Sequence, residues 1–248
     1  MQVGSIVHDL LHRYYMGESL PQDLEQYIQD KYPHNQGNES VLVAQEAYRL
    51  LLGYIEQYQE DPLTIISSEM KIEVDRQEPE TGRWYTIYGI IDACARTKDN
   101  RLWRFEHKTA SRIDTYYLSG LRSGLQGGIY HYLLNQTMPE PVVGTIYNML
   151  VKTKIPQFQR MPVFMQQTLA DRALQTFDGI ARQIFQGDIF PDAGSCFSYN
   201  RECDYLPLCN IWKGEWTPQI QRIVDSFYED YYPTSESAKE GGQEEQAS

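Results

Sequence analysis

The sequence predicts an α/β fold with a mixed central sheet flanked by helices. Three observations carry this expectation. Residues 88–110 hold two runs rich in β-branched and aromatic residues, separated by a polar break at Lys98-Asp99-Asn100, which read as adjacent antiparallel strands. Residues 142–151 are apolar on both faces, as a central or parallel strand requires. Amphipathic segments with helical spacing precede, separate and follow these strands. A chain of 248 residues is long enough to bury one sizeable core.

Taken in order, residues 3–15 form a helix, with apolar positions at 3, 6, 7, 10, 11 and 14. His8 and His12 lie four apart on one face of it, a spacing that also suits zinc. No Glu or further His stands nearby to complete such a site, so spacing alone favours half-buried structural histidines. A second helix follows Leu20-Pro21. A third runs from about 40 to 59, its stripe of Val41, Ala44, Ala47, Tyr48, Leu51, Leu52 and Ile55 facing the core. Strands begin near Leu63, turn at residues 79–82 and return over 83–97, with Glu69, Lys71 and Glu73 on one face. After Thr109 a helix spans about 114–136, containing Gly124, Gly127 and Gly128. Glycines cost helix stability, which points to close packing or a nearby substrate backbone. Gln126 and Tyr130, four apart, share a side of this helix away from much of the Leu121/Leu125/Leu133 stripe. A last helix over 165–186 uses Leu169, Ala173, Phe177, Ile180, Ile184 and Phe185. Three antiparallel strands thus connect to a fourth through a helical crossover.

The chemistry concentrates between residues 88 and 110. Side chains two apart on a strand share a face, so Glu106 and Lys108 project together while His107 points away. A hairpin closing near residue 99 brings Asp92 close to Glu106. Two carboxylates crowded at the ends of apolar strands are expensive unless a cation sits between them. Mg²⁺ or Mn²⁺ suits such oxygens and retains water for chemistry. The plainer reading is a surface Asp with a Glu–Lys pair on a solvated strand face.

Net charge is −12. That argues against tight non-specific coating of DNA, but not against cleavage, because bound cations reverse the local field. Part of the excess sits in residues 233–248, a composition expected to be disordered. Four cysteines, three of them late, do not make a secreted disulfide framework, and no apolar run reaches membrane-spanning length. With no signal-peptide pattern at the N-terminus, a cytoplasmic location is expected.

Together these residues resemble the PD-(D/E)xK nuclease superfamily, with its restriction-endonuclease-like core, and within it the RecB-like exonuclease branch. That branch includes the RecB and AddB nuclease domains, CRISPR-adaptation exonucleases and many phage enzymes. The matching string is Gly4-x-x-x-His8, Glu69, Gly89-x-x-Asp92, Glu106-x-Lys108 and Gln126-x-x-x-Tyr130. It implies one nuclease domain over residues 1–212, with a sheet core over 62–152 and a cysteine-containing loop over 188–212. A helix over 213–232 and the acidic tail follow. The resemblance further implies a metal-dependent deoxyribonuclease, an exonuclease above all, in phage or bacterial DNA processing, recombination or repair. Asp92 and Glu106 would hold Mg²⁺ or Mn²⁺ with His8, the His107 backbone carbonyl and, as an additional ligand, Glu69. Lys108 would orient or activate water, and Gln126 and Tyr130 would position substrate. DNA is the implied substrate, and a helicase or recombination protein an implied partner.

Several relatives carry a [4Fe–4S] cluster on one early and three late cysteines. Cys196, Cys203 and Cys209 look like the late part, but Asn200 stands where a cysteine is usual and the early cysteine is absent. Either an upstream segment is missing or the cluster has decayed, so an incomplete cluster is expected. The competing functional classes are a DNA-binding or assembly protein that no longer cuts, and a module that needs a missing segment or partner. Intact Asp92, Glu106 and Lys108 favour cutting, since a non-cutting descendant has no evident physical need for the acid pair.

Overall fold

The computed structural model describes residues 3–31, 38–187, 196–198, 201–203, 205–211 and 217–227. The chain divides into two compact units, Met1–Gly187 and Asp188–Ser248. The first contains α1 (Val3–Tyr15), α2 (Leu24–Lys31), α3 (Asn38–Gln57), β1 (Thr64–Gln77), β2 (Trp84–Arg96), β3 (Leu102–Ala110), α4 (Thr115–Ser123), α5 (Leu125–Thr137), β4 (Val142–Val151), β5 (Gln157–Phe164) and α6 (Gln167–Gln186). Its sheet has the order β1-β2-β3-β4-β5. Only the β3–β4 pairing is parallel, so the sheet is mixed, as the sequence predicts.

β4 is apolar on both faces because each face meets helices. Leu150 joins the core formed by α1, α2 and α3, whereas Tyr147 and Met149 pack with Tyr117, Leu118 and Leu121 of α4. A buried side chain of this size contributes about 1.5–3 kcal/mol through lost apolar exposure. The segment over β5 is not legible as a strand because Pro162 interrupts it. Pro162 pairs with Ile146 at the sheet edge, where a missing N–H breaks no ladder. Arg160 of β5 locks this edge to α3 by donating to the Tyr54 hydroxyl at 2.6 Å and to Asp61.

Two helices depart from expectation. The predicted 114–136 helix is broken at Gly124, whose extended backbone (φ −66, ψ 142) ends α4 and precedes α5. Asp114 caps α4 by accepting from the Tyr117 N–H at 2.8 Å. The Leu121/Leu125/Leu133 stripe is likewise divided: Leu121 packs with β4, Leu125 is exposed and Leu133 lies in the core under β2. On α6, Ile180 and Ile184 are exposed, while Ala170, Ala173 and Ala181 form the buried face. Small residues win there because α5 crosses at backbone distance: a Cβ on Gly128 would stand 2.7 Å from Ala173 Cβ and 2.8 Å from the Leu169 carbonyl.

β2 pairs with β3 only over residues 93–96, while its pairing with β1 continues to Trp84. The β1–β2 ribbon beyond is strapped to α6 by ion pairs. Asp178 accepts from Arg76 and from the Tyr85 hydroxyl, each at 2.7 Å. Glu78 in the turn accepts from Arg182 at 2.9 Å and from the Thr81 N–H at 2.6 Å. Burial acts to raise the Glu78 pKa, but these donors win and hold it at about 2.

In the second unit, β6 (Phe197–Ser198) and β7 (Arg201–Glu202) form a short antiparallel pair, followed by α7 (Leu206–Cys209) and α8 (Pro218–Phe227). The acidic tail, and parts of the expected cysteine loop and C-terminal helix, lie outside the described residues.

Gly128→Ala should destabilise the fold by about 1–3 kcal/mol through overpacking. Gly120→Ala, with nothing within 4 Å of its new Cβ, should stabilise by up to about 1 kcal/mol from helix propensity. Urea denaturation distinguishes the two. Glu78 should also leave a pH signature. Its folded pKa lies below the ordinary 4.5, so its stabilisation is complete above that pH and disappears as pH falls through about 2. Glu78→Gln should therefore be less stable than the parent at neutral pH, and melting curves should converge in acid.

Candidate active site

The site forms where β2 leaves β3. Ala93–Phe105 is the last pair of that ladder, and one step further Asp92 turns its carboxylate to the opposing backbone. Asp92 Oδ2 accepts from the His107 N–H at 2.8 Å. Across β1, Ser68 pairs with Ala93 and Met70 with Ile91, leaving Glu69 opposite Asp92. Glu69 has a left-handed backbone, φ 52, which costs a residue with a side chain about 1–3 kcal/mol. The facing pattern changes phase here. Ile87 and Ile91 share a core with Cys94, whereas Ala93 and Ala95 join Trp103 and Phe105 on the other face. Glu69 therefore does not continue the expected face of Lys71 and Glu73; its left-handed backbone re-aims it.

Helix α1 closes the group. Gly4 approaches β3 so nearly that a Cβ would lie 2.7 Å from Thr109 Oγ1, and one turn later His8 Nδ1 lies 3.5 Å from Asp92 Oδ2. His12 faces Ser68 instead, Nδ1 to Oγ at 2.9 Å. His8, Glu69 and Asp92 each offer a ligand atom, all within 4.8 Å of one another, the one such trio among the described residues. Burial acts to lower the His8 pKa, but the hydrogen bond and charge of Asp92 raise it above its ordinary value. Burial and Asp92 together raise that of Glu69. For Asp92 burial pushes upward, yet His8 and the His107 environment pull the pKa below its usual range.

Glu106 occupies a different balance. It is 2 % exposed, with Oε1 2.6 Å from Lys108 Nζ and Oε2 3.8 Å from Arg104 Nη1. Oε2 has no hydrogen-bond partner. The expected cation beside the acids is thus partly supplied by the protein, and Glu106 faces Lys108 instead of joining the trio around Asp92. Burial opposes the charge on Lys108, but Glu106 outweighs it and raises the lysine pKa. Lys108 Nζ also reaches Gln126 Oε1 at 3.4 Å, since the break at Gly124 directs the start of α5 toward β3. Tyr130 is not on an outward side. It packs with Leu133 against Gly89, where a Cβ would meet the Leu133 Cδ1 methyl at 2.9 Å and the Tyr130 ring at 3.1 Å, and its face lies 5.1 Å from the Arg104 guanidinium.

His107 points away from Glu106 and Lys108, as predicted. Its ring is buried and stacks on Tyr15 at 5.9 Å. Asn148 Nδ2 lies 2.8 Å from its Nδ1, and Arg160 approaches Asn148 Oδ1 at 3.5 Å, so Asn148 donates and the ring proton sits on Nε2. Burial drives the His107 pKa down to about 3.

Sequence reasoning passed over Arg104 and Asn148. Arg104 is 1 % exposed and donates to Thr145 Oγ1 at 3.0 Å. The signal was present: Arg104, Glu106 and Lys108 alternate on one strand face by the same period of two that paired the last two. Asn148 had no signal, since its partner comes from a neighbouring parallel strand. In the second unit Cys203 and Cys209 carry free thiols, and the Cys203 N–H donates to the Cys196 carbonyl at 2.8 Å. The fourth cysteine, Cys94, is fully buried in β2 among apolar neighbours.

No curated protein sequence matches the chain. Among solved structures, a candidate exonuclease of Eubacterium rectale superposes with a TM-score of 0.50 at 14 % identity, covering 91 % of this chain and 79 % of that one. A second, SSO0001, reaches a TM-score of 0.38 at 14 % identity over 86 % of this chain and 97 % of that one, too low to carry an argument. The first likeness establishes the fold. The model of the PD-(D/E)XK nuclease superfamily matches residues 1–210, a span that holds every strand and acid of the site described above, and the chain belongs to that superfamily.

Proposed function

We propose that the protein is a divalent-cation-dependent deoxyribonuclease that degrades DNA from an end. The observation that carries this reading is the His8/Glu69/Asp92 trio beside a lysine ion-paired to a buried glutamate. Two carboxylates and an imidazole form a hard donor set suited to Mg²⁺ or Mn²⁺. The unpartnered Glu106 Oε2 and the His107 carbonyl would supply further oxygens. When bound, such an ion polarises the scissile phosphate and lowers the pKa of an attacking water. Lys108 carries its charge to the same place, orienting that water and offsetting negative charge on the phosphorane-like transition state. Gln126, in reach of Lys108, holds the amine toward the substrate, and Tyr130 fixes the angle of α5 by packing on Gly89.

The exonuclease mode is supported by the name of the Eubacterium rectale structure and by the sequence string shared with end-processing enzymes. A net charge of −12 leaves little for holding a duplex through its phosphates. This fits action in DNA recombination or repair beside a helicase or recombination protein that presents the end, in a cytoplasmic setting. A [4Fe–4S] cluster does not fit the residues present. Three late cysteines leave it one thiolate short, and Cys94 is committed to the core.

Ion binding and cleavage separate by mutation. Mn²⁺ in large excess over its dissociation constant should stabilise the parent by about 2–3 kcal/mol, read as a rise in melting temperature. Asp92→Asn should abolish that rise, whereas Lys108→Ala should retain it. End-labelled linear DNA should be degraded only with Mg²⁺ or Mn²⁺, and Lys108→Ala should lower the rate at least about 100-fold. Cutting of circular DNA would make the enzyme an endonuclease. Binding of DNA without metal-dependent cleavage by the parent would instead mark a non-cutting relative or a module that needs a partner.

A further inference from the structure

A groove of about 850 Å³ runs between the end of β3 and helix α4, lined by Thr109, Ala110, Arg112, Tyr116, Tyr117 and Leu121 among others. Its volume lies within the roughly 300–1,000 Å³ typical of small-ligand sites. Ala110 in the lining stands two residues beyond Lys108 on β3 and so shares its strand face, and the groove opens beside the residue that would face the scissile phosphate. Its far wall is held firmly. Tyr117 and Leu121 pack with Tyr147 and Met149, and the Tyr147 hydroxyl donates to the Leu121 carbonyl at 2.8 Å.

Tyr116 stands apart from this packing. One residue on from the N1 position of α4, it is rotated by about 100° from Tyr117 and is 89 % exposed. Single exposed apolar residues are ordinary on a protein surface. This one is an aromatic face on the wall of a groove that adjoins the candidate active site. The charge of the groove narrows what it can take. Among the described residues Arg112 is the sole cation in the lining, and Asp114 pairs with it at 2.9 Å. A duplex held by phosphate contacts needs several free cations. A single unpaired base needs an aromatic face and a recess, and little charge.

We propose that this groove is a subsite for an unpaired nucleobase flanking the scissile phosphate, with Tyr116 as its stacking face. The inference rests on the nuclease reading above and deepens it: the enzyme takes the end of a single strand, or a frayed end, and grips it through a base.

The experiment compares the parent, Tyr116→Ala and Tyr116→Phe on single-stranded oligonucleotides carrying an abasic residue at successive positions from the end. Trp84→Ala serves as a control, its ring 65 % exposed at the turn end of β2, about 25 Å from Asp92 along the strand. Tyr116→Ala should raise KM about tenfold or more with kcat little changed, and Tyr116→Phe and Trp84→Ala should behave as the parent. One abasic position should cost the parent a similar factor and cost Tyr116→Ala nothing further. An unchanged KM in Tyr116→Ala, or an abasic penalty that persists undiminished in that variant, overturns the proposal. If the parent cleaves no nucleic acid, the nuclease reading fails separately, and 2-aminopurine oligonucleotides then decide the subsite by binding. Fluorescence quenching by the parent that Tyr116→Ala loses would support it; equal quenching, or none, would overturn it.

Discussion

The hydrogen bond from the His107 N–H to Asp92 is the constraint on which the site depends. In an uninterrupted antiparallel ladder that N–H would bond to a backbone carbonyl of β2 or of another strand. Here a side-chain carboxylate takes it, so β2 can leave the sheet while the buried donor stays satisfied. The departure frees the β1–β2 ribbon to lean on α6, opens a cleft between β2 and β3, and fixes the orientation of Asp92. Opposite, the left-handed Glu69 absorbs the change of direction on β1. The strain there is local, and the groups it re-aims are those that form the trio with His8.

The charges at the site are arranged in two groups that satisfy each other internally. Asp92 has His8 and a backbone N–H; Glu106 has Lys108 and Arg104. Burial penalises an isolated carboxylate by several kcal/mol, and each acid meets that cost with its own donors. The two groups sit on successive steps of diverging strands, so a divalent ion could draw on both without either having to be rebuilt. Gly4 and the Gly124 break serve the same end from opposite sides of the sheet. One lets α1 bring His8 to Asp92, and the other lets α5 bring Gln126 to Lys108.

Much of this was readable in the chain. Helix α1, the antiparallel order of β1 to β3, the crossover to a buried β4 and the separation of His107 from its neighbours all follow from periodicities of 3.6 and 2. What escaped was tertiary. The β5 strand is an edge with a proline, a position where local propensity misleads. The buried face of α6 is alanine-rich because a neighbouring glycine approaches it, which no single-helix pattern reports. Glu69 looks like one of a row of solvated acids until the left-handed turn of its backbone separates it from Lys71 and Glu73. Arg104 was visible by spacing but has its meaning only beside Tyr130 of α5 and Thr145 and Tyr147 of β4, both distant in the chain.

The buried arginine also bears on how such a motif decays over evolutionary time. A descendant that abandoned cleavage would still have Arg104 in its core, and removing Glu106 alone would leave that guanidinium without its nearest counter-charge. Breaking one side of a buried pair costs about 3–5 kcal/mol, a large part of the stability of a typical domain. Selection for folding would therefore preserve Glu106 after selection for chemistry had ended, whereas the more exposed Lys108 and His8 would be free to drift. In this lineage the acid on β3 has a structural reason to persist, and the first residues to record a loss of activity would be the lysine two places along and the histidine on the opening helix.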